Sequence, residues 1–178
     1  MTQASGVVRP MTEADLAMVL SWRNHAEVRR YMFSQHEIGM EEHRRWFAKA
    51  CVDPNRRLLI FEQGREALGY VSFQRLHAGP VVDWGFYVSA DAPRGTGSAL
   101  GNAALAHAFD HERFHKVCGQ AFEGNTRSIQ LHLRLGFVQE GMLREQYFDG
   151  AAFHSVACFG LLQREWQLAA ATRRSHGG

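Results

Sequence analysis

The chain has 178 residues, 46% of them hydrophobic and 21% charged, with a formal net charge of +2. That length buries one real core and is short for two domains, and without a long lysine or arginine run it carries no nucleic-acid arm. Cys51, Cys118 and Cys158 are odd in number and lack the spacing of a zinc site or a redox dithiol, so they read as structural thiols of a reducing, cytoplasmic compartment. No segment nears the ~18 apolar residues that span a bilayer, and no basic-then-apolar leader opens the chain, so no membrane partner is expected.

Val7 to Arg9 is a short apolar start ending at Pro10, after which Thr12 can cap a helix with Leu16, Val19 and Leu20 at helical spacing. Trp22 to Ala50 reads as one or two further helices, cationic and aromatic, with Trp46 and Phe47 on one face. Arg57 to Glu62 and Ala67 to Arg75 are strands around a Gln63-Gly64 turn, and Val81 to Val88 is a third, aromatic strand. The loop from Ala90 to Gly97 leads into an alanine- and leucine-rich helix from Ala99 to Phe109. Lys116 to Phe122 is a strand, Thr126 to Leu135 a helix closed by Gly136, and Val138 to Glu145 and Ala152 to Leu162 are strands turning at Asp149-Gly150. The chain is expected to be one domain over 1–168, with a disordered tail over 169–178.

Alternating glycines before a helix let consecutive N–H groups and the helix dipole converge on an anion. Arg94, Gly95, Thr96, Gly97, Ser98 and Ala99 have this pattern: Gly95 and Gly97 leave room for a pyrophosphate, Ala99 is small, and Arg94 adds a charge. The loop is neither a dinucleotide fingerprint nor a P-loop, since it lacks the spaced third glycine and the Lys-Ser/Thr pair.

Arg94, Gly97 and Ala99 resemble the loop of the GCN5-related N-acetyltransferase family, and Asn125 to Phe137 (NTRSIQLHLRLGF) resembles its second motif, an Asn, a helix and a closing Leu-Gly-Phe. The resemblance implies an α/β fold with a single mixed, mostly antiparallel twisted sheet of about seven strands, flanked by helices, with a splayed central strand pair for acetyl-CoA. It implies that acetyl-CoA is the co-substrate and that no metal is needed. The pantetheine arm would pair with the backbone of Phe86, Tyr87 and Val88, Asn125 would touch the cofactor near the thioester, and Ser128 would reach the same arm.

Direct acetyl transfer needs a neutral amine, a proton acceptor and an acid for the departing thiolate. Where the family often carries a tyrosine acid, this chain has His132, which either protonates the thiolate or packs beside Leu131 and Leu133. Glu123 is the candidate base or a surface carboxylate, and Ser72 the group that orients a water or the amine.

Ser21-Trp22-Arg23-Asn24-His25 and Tyr31-Met32-Phe33 resemble the subfamily that acetylates the 4-amino group of a UDP-linked 4-amino-4,6-dideoxy sugar on the route to pseudaminic acid, used in flagellin glycosylation. Guanidinium forks suit a diphosphate, and the resemblance puts Arg23, Asn24, His25, Tyr31, Phe33, His43, Gln74, Arg75 and Tyr87 around that acceptor. The alternatives are a ribosomal-protein type amino-terminal or small-amine acetyltransferase and a catalytically silent acyl-CoA-binding module. A homodimer is left open.

Overall fold

The computed structural model describes residues 6–175. Strand β1 (Val7–Pro10) leads through a 3-10 turn (Glu13–Asp15) into α1 (Leu16–Asn24), followed by α2 (Ala26–Arg29) and α3 (Met40–Ala50). Strands β2 (Arg56–Gln63), β3 (Glu66–Arg75) and β4 (Val81–Val88) precede α4 (Thr96–Ala106) and a π-helical turn (His107–His111). Strand β5 (Lys116–Phe122), α5 (Thr126–Arg134), β6 (Val138–Phe148), β7 (Phe153–Leu162) and α6 (Gln163–Ser175) complete the chain.

The seven strands lie in the order β1-β2-β3-β4-β5-β7-β6. The β4–β5 pairing is parallel, with the short ladder Val81↔Lys116, Val82↔Val117 and Asp83↔Cys118, whereas β1–β2, β2–β3, β5–β7 and β6–β7 are antiparallel. By its contacts the chain forms two compact units: residues up to Gln74 with Trp84–Ala104, and Arg75–Asp83 with the residues from Leu105 onward.

In the first unit, strand alternation sorts the side chains. Leu58, Ile60 and Tyr70 join Met11, Leu16, Val19, Trp22 and Ala50 in one cluster, with Trp46, Phe47 and Tyr87 packed against it. Arg9 anchors the entrance, bridging Asp15 at 2.8 Å and Glu62 at 2.7 Å. The bonds from Arg9 and Thr12 hold the Asp15 carboxyl down at about 2.

In the second unit, α5 ends in a Schellman turn: Gly136 at φ +94 donates to Leu133 at 3.1 Å, and Phe137 donates to His132 at 3.0 Å. The Leu-Gly-Phe sequence is therefore a helix terminator, with glycine at the left-handed position and an aromatic contact between its two ends.

The expected disordered tail is corrected as far as residue 175, since 163–175 is helix; residues 176–178 lie outside the described residues. Trp166 is buried beside Phe109, Gln163 donates to the Phe109 carbonyl at 3.2 Å, and Glu165 accepts from Leu162 N–H at 2.9 Å. Ala169, Ala170 and Ala171 then extend a helix already nucleated. Trp166→Ala should cost about 3–4 kcal/mol in urea denaturation. Exposed Leu168→Ala in the same helix should stay within about 0.5 kcal/mol. Equal effects would contradict this anchoring.

Candidate active site

The anion-binding end of α4 starts earlier than the sequence reading, which opened the helix at Ala99. Thr96 is its first residue, buried, with its hydroxyl on the Pro93 carbonyl at 2.7 Å and its N–H on the same oxygen at 3.2 Å. Gly95 takes φ +90, which lets the chain turn into the helix, and its carbonyl accepts from Ala99 N–H at 3.0 Å. Gly97 and Ser98 therefore lie in the first helical turn, where geometry leaves their N–H groups without an intrahelical acceptor. With exposed Arg94 next to them, these donors make a helix end suited to an anion. In the same unit Phe86, Tyr87 and Val88 form the carboxyl-terminal end of β4.

The second unit holds the other donor-binding candidates. Asn125 caps α5, its Oδ1 accepting from Ser128 N–H at 3.1 Å, so its Nδ2 is the amide end left to meet a ligand. Ser128 Oγ lies 3.5 Å from His132 Nδ1. Glu123 is exposed, just past β5, with its N–H on Ser155.

His132 is 1% exposed, stacked on Phe159 at 4.7 Å and edge-on to Phe137 at 5.1 Å. Its Nδ1 donates to the Ser128 carbonyl at 2.8 Å, and burial pulls its pKa below the ordinary histidine value. A neutral ring with its proton on Nδ1 presents a lone pair at Nε2, not an acid. The geometry favours packing over proton donation.

The acceptor candidates in the first unit separate into a buried polar group and a structural set. Arg23 is 9% exposed at the end of α1; its Nη2 donates to the Ser34 carbonyl, while its Nη1 is buried with no partner among the described residues. Burial pulls the guanidinium below its ordinary pKa, against the neighbouring Tyr87 and Glu42, with Arg29 adding to the fall.

Tyr87 stacks on Tyr70 at 5.0 Å, and Ser72 bonds the Tyr70 hydroxyl. Burial raises both phenols, Tyr70 to about 12 and Tyr87 well above its usual value, so both are donors at neutral pH. His43, 4% exposed and stacked on Trp46 at 5.1 Å, bonds the Leu16 backbone, and its Nε2 is buried without a partner among the described residues. Burial lowers its pKa, which keeps the ring neutral. Gln74 accepts from Arg56 Nε at 2.5 Å.

Four of the expected acceptor residues have other work. Asn24 clamps Ile38, donating to its carbonyl at 2.8 Å and accepting its N–H at 2.9 Å. His25 caps α2 through Glu27 N–H at 3.3 Å. Tyr31 lies under the Arg30 guanidinium at 4.6 Å. Arg75 belongs to the second unit, over Phe114 at 5.5 Å with a bond to the Gly79 carbonyl at 3.3 Å. Phe33 is 51% exposed. The sequence reading missed Tyr70 and Arg56, although Tyr70, Ser72 and Gln74 alternate along one strand and share a face.

An acetyltransferase domain model, "Acetyltransferase (GNAT) domain", matches residues 7–138. The chain belongs to this family. It is 23% identical over 165 residues to a spermidine N(1)-acetyltransferase of Vibrio cholerae, covering 89% of this chain and 94% of that protein. It is 34% identical over 88 residues to a prophage-derived uncharacterized N-acetyltransferase, YokL, of Bacillus subtilis, a match spanning 48% of this chain and 50% of that relative. The structure of the Vibrio cholerae spermidine N-acetyltransferase with CoA and spermine superposes with a TM-score of 0.85 at 20% identity, covering 92% of this chain and 98% of that one. At that identity the likeness is one of fold. The protein is an acetyl-CoA-dependent N-acetyltransferase with the seven-stranded mixed sheet of its family.

His43 and His132 are both held neutral, so protonation favours the unfolded chain. Their stabilisation is full above about pH 6.5 and is lost as pH falls through their lowered native values. Thermal melts from pH 8 to pH 5 should show a falling midpoint, with a shallower fall in His132→Phe, which should keep turnover within a few-fold. An unchanged slope, or a turnover loss above about 100-fold with a normal melt, would contradict the packing assignment.

Proposed function

We propose that the protein acetylates the primary amine of a small molecule that also carries an anionic or strongly accepting group, and that a UDP-linked 4-amino sugar is the member of this class that fits best. The observation that carries the proposal is the buried Arg23 guanidinium, with Nη1 unpartnered, beside a protonated tyrosine. A desolvated cation of this kind attracts phosphate or carboxylate oxygen and repels a polycation. His43 adds the opposite polarity, a buried lone pair at Nε2, which suits a hydroxyl or imide N–H on the same ligand.

In this reading, which follows the family resemblance, the first unit offers the Phe86 to Val88 backbone for pantetheine and the Gly97 and Ser98 N–H groups with Arg94 for pyrophosphate, and the second unit offers Asn125 Nδ2 and Ser128. Bound acetyl-CoA supplies an activated acetyl group. Tyr70 and Tyr87, with Ser72, offer hydroxyl donors to the acceptor, and Gln74 holds Arg56 in place. Glu123 is the exposed carboxylate assigned to take the amine proton, directly or through water.

A second reading, acetylation of a polyamine, has more support from the comparisons than the sugar nucleotide has: the Vibrio cholerae relative is a spermidine N(1)-acetyltransferase, and a spermidine N-acetyltransferase with CoA and spermine shares the fold. Free-thiol release should separate the two. With acetyl-CoA, a UDP-linked 4-amino-4,6-dideoxy sugar should give the highest kcat/KM, at least about tenfold above spermidine and above a ribosomal-protein amino-terminal peptide. Faster release with spermidine would replace the anionic acceptor by a polyamine, and release with the peptide alone would replace it by a protein amino terminus.

A further inference from the structure

The turn that follows α4 carries a polar cluster to which acetyl transfer assigns no role. His107, His111 and Glu112 bring ligand-capable atoms to within 4.8 Å of one another. His107 Nε2 lies 3.7 Å and His111 Nδ1 4.0 Å from Glu112 Oε1, and the two imidazoles stack at 4.8 Å with their planes 15° or less apart, at 14°. All three residues belong to the second unit.

The backbone explains the convergence. In an α-helix residue i+5 lies about 140° around the axis from residue i, so Glu112 would face away from His107. Here the helix widens: Glu112 N–H bonds to the His107 carbonyl at 2.9 Å, an i to i+5 bond, which brings the carboxylate over the first histidine while the second stays at i+4. A π turn costs helical regularity and is found often at functional sites.

We propose that His107, His111 and Glu112 form a binding site for a divalent transition-metal ion of the zinc class. Two imidazoles and one carboxylate are a common donor set for such ions, with water completing the shell. Two donors about 2.0–2.2 Å from one zinc ion lie no more than ~4.4 Å apart, so both distances to the carboxylate already suit a shared ion. The remaining adjustment is a small rotation of His111, which is exposed and free to turn on its own χ angles. Half-buried His107 and Glu112 supply the fixed part of the site. Binding changes no oxidation state and releases to solvent any proton held on the ligating imidazole nitrogens or carboxylate, and zinc and its chemical neighbours are the ligand class.

The test uses the untagged full chain, stripped with chelator and titrated with zinc chloride by calorimetry. The wild type should show one saturable site at micromolar zinc or below. His111→Ala and Glu112→Gln should each weaken that site at least about tenfold. Zinc should raise the melting temperature of the wild type and not that of His111→Ala. His154→Ala, which disrupts a separate histidine–aspartate pair, should bind as the wild type does. Because His111 is exposed, its substitution leaves the fold in place. The absence of saturable binding in the wild type, or unchanged affinity in both His111→Ala and Glu112→Gln, would overturn the proposal.

Discussion

A guanidinium withdrawn from water keeps its charge, and each N–H it turns inward needs an acceptor. Arg23 donates to the Ser34 carbonyl, and among the described residues its buried Nη1 has no acceptor. The segment that carries Ser34 is itself fixed, because Asn24 bonds both the N–H and the carbonyl of Ile38. Neighbouring residues at the end of α1 thus do opposite things. Asn24 spends its amide closing the loop, and Arg23, held by that loop, keeps one buried edge unpaired among the described residues.

The surrounding side chains follow from strand alternation and helix packing. Tyr70 and Tyr87 come from two strands and stack, Ser72 bonds Tyr70, and α1 and α3 supply Trp22 and Trp46 to the same cluster. Burial keeps both phenols protonated and His43 neutral, so the group offers fixed dipoles and the guanidinium charges of Arg23 and Arg56 without a mobile proton. The donor-binding candidates are built on helix ends, Gly97 and Ser98 opening α4 and Asn125 capping α5. Helix ends have backbone donors to spare, and a phosphate-rich ligand needs donors.

The strands and most helices were legible in the sequence because their apolar patterns are strong, as in the continuous run Leu58 to Phe61 or the helical spacing of Leu16, Val19 and Leu20. Two boundaries were not. Gly95, Gly97 and Ser98 have low helix propensity, yet α4 begins at Thr96 because its hydroxyl and N–H both bond Pro93. The last helix looked like a polar tail, and only the burial of Trp166 against Phe109 shows why it persists. Among the candidate residues, Asn24 and His25 were read as ligand contacts because cap and clamp bonds depend on backbone geometry that a linear motif does not carry. His132 was read as either an acid or a packing residue, and its stacking on Phe159, far away in sequence, favours the second.

The central claim is that the open edge of Arg23 receives an anionic part of the acceptor. Calorimetric titration of the coenzyme A-loaded protein with uridine diphosphate measures this directly, with Arg23→Met as the partner variant, because methionine keeps apolar bulk while removing the desolvated charge. The account predicts saturable binding in the wild type and at least a tenfold loss (about 1.4 kcal/mol) in Arg23→Met, with a normal melt in both. Equal uridine diphosphate affinity in the two proteins, or saturable spermidine binding without any for uridine diphosphate, would contradict it.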